Sequence, residues 1–221
     1  MELKRFQIFK WEETMKNREI EAKIILPKDA YQAMISSFDK KADFTQANYY
    51  FDTESGILKD NNISLRIRTY QDHAEQTMKV PDDNPVQTEF HEVIEITDPL
   101  SLAKANKLID QSTKDGKIDF YGNIGHYLEK NYAPYTHELQ LLSWSKTRRI
   151  LATGPHDCEL TLDQTSYPDG YSDYELEIEN TDPELIQLAL AKLKEQFKLS
   201  NDSKMLNQNK IARAMMHRKQ S

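Results

Sequence analysis

The sequence predicts an α+β fold: a closed eight-stranded antiparallel β-barrel, or tunnel, with a charged interior and helices packed outside. Two observations predict it. Segment after segment alternates apolar and polar residues with the period of two that marks a strand buried on one face. The polar faces also carry long charged groups in rows: Glu19/Glu21/Lys23, Arg66/Arg68, Thr77/Lys79, Glu89/His91, Thr147/Arg149, Glu159/Thr161/Asp163 and Glu175/Glu177/Glu179. Residues two apart share a strand face. Any one such row is ordinarily a solvated surface. About eight strands, seven of them with such a row and backed by an apolar face that helices would cover, point to a closed sheet with its charges inward. Buried charge is costly unless it is paired or coordinates a metal. A lumen with both signs and bound ions meets that condition.

The elements follow in order. Ile20, Ala22, Ile24 and Leu26 form the apolar side of a first strand. Tyr31, Met34, Ile35 and Phe38 lie at helical spacing after Pro27, and Ala47–Thr53 is aromatic and β-prone. Ile63, Leu65 and Ile67 alternate with Ser64, Arg66 and Arg68, and a turn near Asp72 leads to a strand over Glu75–Val80. A loop at Pro81–Pro85 precedes a strand over Glu89–Thr97. Asp98-Pro99 predicts a helix start, with a cap and then proline in the first turn. The segment 99–132 is expected to be a helical insertion with a break at Asp115-Gly116. Strands resume at Glu138–Leu142, Ser145–Thr153, Asp157–Asp163 and Ser172–Asn180. Thr181-Asp182-Pro183-Glu184 reads as a capping box opening a helix to Phe197, and a last helix is expected over Lys204–His217. Residues 1–17 form a lead-in without this alternation, and 18–221 form one domain.

Composition narrows the function. The 221 residues carry a net charge of −7, which argues against general nucleic-acid binding. A local basic pocket for a small anion is compatible with that charge. No apolar run reaches membrane-spanning length, and no signal-peptide core is present. The single cysteine, Cys158, suits a reducing cytoplasm and reads as apolar packing beside Leu160 and Leu162. The expected protein is cytoplasmic, a monomer or homodimer, with no nucleic-acid or membrane partner.

The rows also carry a resemblance. Glu19-Ile20-Glu21-Ala22-Lys23 matches the ExExK signature of the CYTH, or triphosphate tunnel metalloenzyme, family. Tyr50-Phe51-Asp52-Thr53, Leu65-Arg66-Ile67-Arg68, Thr77-Met78-Lys79, Lys146-Thr147-Arg148-Arg149, Leu162-Asp163, Tyr174 to Glu179, and Lys210 to Arg213 resemble its later segments in the family's order. The chain looks closest to the small single-domain bacterial branch. It departs in the segment before Glu19 and at Glu89-Phe90-His91-Glu92, which lacks an arginine some members carry.

What the resemblance implies is a metal-dependent hydrolase of triphosphate compounds, inorganic tripolyphosphate or a nucleoside triphosphate, acting in the tunnel. Lys23, Arg66, Arg68, Lys79 and Arg149 would grip phosphate, with Lys210 as a further contact. Alternation with Thr147 favours Arg149 over Arg148. Glu19, Glu21, Glu175, Glu177 and Glu179 would hold Mg²⁺ or Mn²⁺. Catalysis would rest on Glu19, Glu21, Lys23, Arg66, Arg68, Lys79, Arg149 and Glu177. Glu159 and Asp163 are expected to orient basic side chains, Glu89 to be structural or hold a second metal, and Arg213 to pair with a nearby acid. Thiamine triphosphate hydrolysis and class IV-like adenylate cyclisation share the same resemblance. A non-catalytic polyphosphate or nucleotide sensor is the reading of another class.

Overall fold

The computed structural model describes residues 16–87, 89–199 and 209–218. The strands are β1 Lys16–Ile25, β2 Lys40–Asp52, β3 Ser64–Thr69, β4 Ala74–Pro81, β5 His91–Leu100, β6 Gln140–Thr153, β7 Glu159–Ser166 and β8 Ser172–Glu179. They close into a barrel in the order β1-β5-β4-β3-β2-β6-β7-β8. The described helices are α1 Lys28–Ser37, α2 Ile57–Asp60, α3 Leu102–Asp115, α4 Gly122–Tyr132, α5 Pro183–Phe197 and α6 Lys210–Met216.

The chain divides into two compact units. Asn48–Asp83 and Val93–Ser143 build one around an apolar cluster. There Leu65, Ile67, Met78 and Ile96 meet Ala105 and Leu108 of α3 and Ile124 and Leu128 of α4. Glu19–Ala47, Asn84–Glu92 and the described residues from Trp144 onward build the other. There Ile20, Ala22, Ile24, Ile150, Leu160, Leu162, Leu176 and Ile178 meet Met34 of α1 and Ile186, Ala189 and Leu193 of α5. In each unit the apolar half of the alternation lies under helices, and the charged half is left for the inner face of the ring. Fully burying one such aliphatic side chain stabilises by about 1.5–3 kcal/mol.

Several expected boundaries shift for identifiable reasons. β5 runs through Asp98-Pro99 to Leu100, pairing with Gln76, Glu75 and Ala74 of β4. Asp98 therefore does not cap the helix that follows. Its carboxylate accepts hydrogen bonds from Asn123 N (3.1 Å) and Ile124 N (3.0 Å) at the start of α4, and from the Gln76 side chain (3.0 Å). Gly122 makes room for it: at φ +65°, a Cβ there would lie 2.8 Å from the Asp98 carboxylate. Ser101 caps α3 instead, accepting from Lys104 N at 3.3 Å.

β5 also begins at His91, after Glu89. The side-chain oxygen of Gln87 takes the backbone N–H groups of Glu89 (2.7 Å) and Phe90 (2.6 Å), a local alternative that competes with a strand ladder. The Glu89 carboxylate accepts from Gln187 of α5 at 3.0 Å, outside the strand rows.

The two strands expected over 138–153 are one, β6, because Ser143 and Ser145 continue its buried face in small residues. Asp182, not Thr181, caps α5, accepting from Glu184 N at 2.9 Å. Residues 1–15, and the part of the expected last helix over 204–208, lie outside the described residues.

Candidate active site

In the first unit the register sets a group of alternating charges. Arg66 pairs with Thr77, Arg68 with Glu75 and Ser64 with Lys79 across β3 and β4. Lys79 pairs with Glu95 across β4 and β5. Arg66 Nη2 and Lys79 Nζ lie 3.5 and 3.6 Å from Glu95 Oε2. The Arg68 guanidinium donates to Asn48 Oδ1 (2.9 Å), the Tyr70 hydroxyl (3.3 Å) and Glu75 Oε1 (3.2 Å). Burial alone would raise the Glu95 carboxyl, but Arg66, Lys79 and Arg68 outweigh it and hold it below its ordinary value. The group gathers three cations, Arg66, Arg68 and Lys79, and the pairs of Arg66 and Lys79 with Glu95 are the looser ones, at 3.5 and 3.6 Å.

The second unit carries the acidic group. Lys23 pairs with Glu177 and Glu21 with Glu179 across β1 and β8, Arg149 with Asp163 across β6 and β7, and Asp163 with Glu175 across β7 and β8. Asp163 and Glu175 are buried at 0% and 1% exposure. One ligand oxygen each from Asp163, Glu175 and Glu177 lie within 4.8 Å of one another.

Cations fill the gaps around these oxygens. Arg149 donates to both Asp163 oxygens (2.9 and 2.6 Å) and to Glu177 Oε2 (3.0 Å). Lys210 Nζ, from the first turn of α6, lies 2.6 Å from Asp163 Oδ2, 2.7 Å from Glu175 Oε1 and 3.3 Å from Glu177 Oε1. Arg213 reaches Asp173 Oδ2 at 2.7 Å and Glu175 Oε2 at 2.6 Å, and donates to the Tyr167 hydroxyl at 3.1 Å. Both Glu175 oxygens meet these nitrogens as ion contacts rather than aligned hydrogen bonds.

Electrostatics divides the three acids. Burial pushes the Glu175 carboxyl up, and Glu177 beside it adds to that, against the pull of Lys210 and Arg213. Burial would also raise Glu177, but Lys210, Arg149 and Lys23 hold it well below the usual carboxylate range. Asp163 follows Glu177: Arg149 and Lys210 outweigh its burial and keep it low. Lys210 and Arg149 are in turn pushed up, because the acids overcome the burial that would discharge them.

The expected site residues are placed as follows. Arg66, Arg68 and Lys79 gather in the first unit, and Glu21, Lys23, Arg149, Glu175, Glu177 and Lys210 in the second. Glu21 Oε1 lies 2.7 Å from Lys23 Nζ. Arg149 shares the inward face of Thr147, whereas Arg148 turns outward to Asp43, donating at 2.9 and 2.7 Å. Glu19 and Glu179 are outside the converging trio, and Glu179 is exposed.

Asp163 is inside that trio, and Glu95 anchors the basic group. Asp163 orients Arg149 and Lys210, the role expected of it from sequence, whereas Glu95 lies on the polar side of its alternation without a role assigned from sequence. An all-oxygen carboxylate donor set fits a hard divalent cation of the Mg²⁺ or Mn²⁺ type.

A closed antiparallel barrel whose strands carry alternating ionic rows, with helices packed on it, defines a class of charged β-barrel proteins. The chain belongs to the CYTH family, whose CYTH domain model matches residues 17–214. Among solved structures it is similar to a candidate adenylate cyclase from Bacillus halodurans, with 26% identity and a TM-score of 0.74, covering 90% of this chain and 97% of that one. It is similar also to a candidate adenylyl cyclase from Hippeastrum with a dominant triphosphatase activity, at 23% identity and a TM-score of 0.71, covering 91% and 97%. A Pyrococcus horikoshii protein shares the fold at 14% identity and a TM-score of 0.55, over 90% and 98% of the two chains. No curated protein matches the chain. No helix of the described residues is long and apolar enough to cross a membrane.

Proposed function

We propose that this chain is a metal-dependent hydrolase of triphosphate compounds, tripolyphosphate or a nucleoside triphosphate. The observation that carries the reading is the division of charge on one closed sheet. A base-rich group on β3–β5 suits phosphate oxygens, and a buried acidic group on β7 and β8 suits a hard cation. The dominant triphosphatase activity of the Hippeastrum relative is in keeping with it.

Arg66 and Arg68 present planar forks that match phosphate geometry better than ammonium groups do. Glu75 and Glu95 hold these forks in place before substrate arrives, so that little reorganisation is needed as charge develops. Lys79, Lys23 and Arg149 add positive charge along the phosphate chain. Glu175 and Glu177, with Glu19, Glu21, Glu179 or Asp163 completing the set, would hold Mg²⁺ or Mn²⁺. When bound, that ion supplies charge neutralisation at the phosphates. A β8 carboxylate orients the attacking water. The water oxygen bonds to the terminal phosphorus as the bridging P–O bond breaks in line, releasing orthophosphate and the shortened phosphate chain.

A panel of tripolyphosphate, ATP and thiamine triphosphate, with Mg²⁺ or Mn²⁺, assayed for both orthophosphate and cyclic AMP, tests the reading. Phosphate release is expected, falling by about 10²–10³-fold in Arg66→Ala, as when one donor to a developing oxyanion is removed. Cyclic AMP from ATP would favour the cyclase reading that the Bacillus halodurans relative suggests. Tight binding with no turnover of any substrate would overturn catalysis in favour of a sensor.

A further inference from the structure

We propose that the Lys210 ammonium is a tethered cation seated where the divalent ion binds, so that metal entry and Lys210 occupancy exclude one another. This rests on the metal-dependent reading above. Lys210 Nζ touches the same three carboxylates whose oxygens converge: Asp163 Oδ2, Glu175 Oε1 and Glu177 Oε1, at 2.6, 2.7 and 3.3 Å. An ammonium is a compact point charge with three donors, and here it spends contacts on three acids, as a small cation would.

The surrounding cations differ in kind. Arg149 is fixed by a fork on Asp163 and a further bond to Glu177 Oε2. Arg213 is fixed by Asp173, Glu175 Oε2 and the Tyr167 hydroxyl. Lys210 ends a flexible four-carbon stem and takes the remaining oxygens, Glu175 Oε1 and Glu177 Oε1, besides sharing Asp163 Oδ2 with Arg149.

A divalent ion bound to those oxygens would stand within a few ångströms of the ammonium, and the repulsion would drive one of the two out. Rotation of that flexible stem would carry Lys210 off the acids. The displaced ammonium becomes available to a phosphate oxygen. Metal loading and the Lys210 phosphate contact are thereby linked: the lysine guards the acids when the metal is absent and grips substrate when it is present.

Mn²⁺ binding to the full chain without triphosphate, followed by calorimetry and by the electron-spin resonance of free Mn²⁺, tests this. Lys210→Met is expected to tighten Mn²⁺ binding by about 5- to 150-fold, the usual span of coupling between exclusive sites. The gain should vanish in Lys210→Met with Asp163→Asn and Glu175→Gln. Equal or weaker Mn²⁺ binding in Lys210→Met would overturn the proposal.

If that variant does not fold, acylation of Lys210 in the unaltered chain, read by mass spectrometry, decides instead. Mn²⁺ should raise its labelling, and unchanged labelling at saturating Mn²⁺ would overturn the exclusion. Tighter Mn²⁺ binding in Lys210→Met, together with no phosphate release by the unaltered chain, would support the exclusion while sinking the hydrolase reading.

Discussion

Arg213→Met is the most informative single change to the frame of the acidic group. Arg213 is 4% exposed and serves two buried carboxylates, Asp173 and Glu175, besides the Tyr167 hydroxyl. Methionine fills much of the volume but returns none of the charge. Hydrogen bonds to charged groups are worth about 1.5–3 kcal/mol each. Adding three of them overshoots, because the deleted guanidinium takes its own desolvation cost with it. Breaking a buried pair from one side costs about 3–5 kcal/mol, since the acids left behind stay buried. At about 2–4 °C per kcal/mol for a chain of this size, Tm at neutral pH should fall by about 6–20 °C.

The sign of the pH dependence follows from Glu175. Its folded carboxyl is already raised by burial, and losing Arg213 raises it further. The variant's deficit is therefore greatest where Glu175 is charged, and it shrinks as pH falls toward the ordinary carboxylate range and the group takes up a proton. Thermal melts of the two proteins across pH 5 to 8 measure this. A loss below about 1 kcal/mol at neutral pH, the worth of an exposed ion pair, would refute the assignment of Arg213 as a buried structural cation.

Asp43 should show the same direction at lower pH on the outer surface. Hydrogen bonds from Arg148 hold its carboxyl at about 2, below the ordinary 3.8, so its contribution is complete above the ordinary value and fades as pH falls through about 2. With side chains 31% and 44% exposed, that contribution stays below about 1 kcal/mol, and Asp43→Asn should flatten the acid limb of a urea-midpoint profile. Asp98→Ala should cost about 2–4 kcal/mol, combining a lost helix cap with one Gln76 amide N–H left unpaired while the other keeps the Tyr121 carbonyl. Hydrogen exchange should then quicken first at the start of α4, around Asn123 and Ile124.

Much of this molecule was legible in the alternation of its strands. The rows Arg66/Arg68, Thr77/Lys79 and Glu175/Glu177 announce inward faces because no apolar core would tolerate them and no surface requires such regularity. Arg149 is separable from Arg148 by parity alone. The convergence of Asp163, Glu175, Glu177 and Lys210 was not legible, because it depends on the register of β7 against β8 and on where α6 ends up. Glu95 was passed over for a similar reason: its role is set by Lys79 opposite it on β4, a pairing that local spacing does not specify. Asp98-Pro99 misled because a cap followed by proline is a local signal. Here a remote helix start claimed the carboxylate, and the strand ladder held the backbone.

The ring order has a consequence for how the protein is made. β1 precedes the other strands of the ring in the chain, yet its neighbours are β5 and β8, so its hydrogen-bonding partners are complete only when β8 has been translated. Until then Ile20, Ala22 and Ile24, all buried in the finished fold, have α1 to lie against but neither their strand neighbours nor α5. Such long-range closure makes for slow folding, and exposed strand edges invite wrong partners meanwhile. The alternating Glu19, Glu21 and Lys23 between those apolar residues place strongly hydrated charged groups on the other face of the waiting strand. Charged residues interleaved with an apolar strand in this way act as gatekeepers against aggregation while its partners are being made.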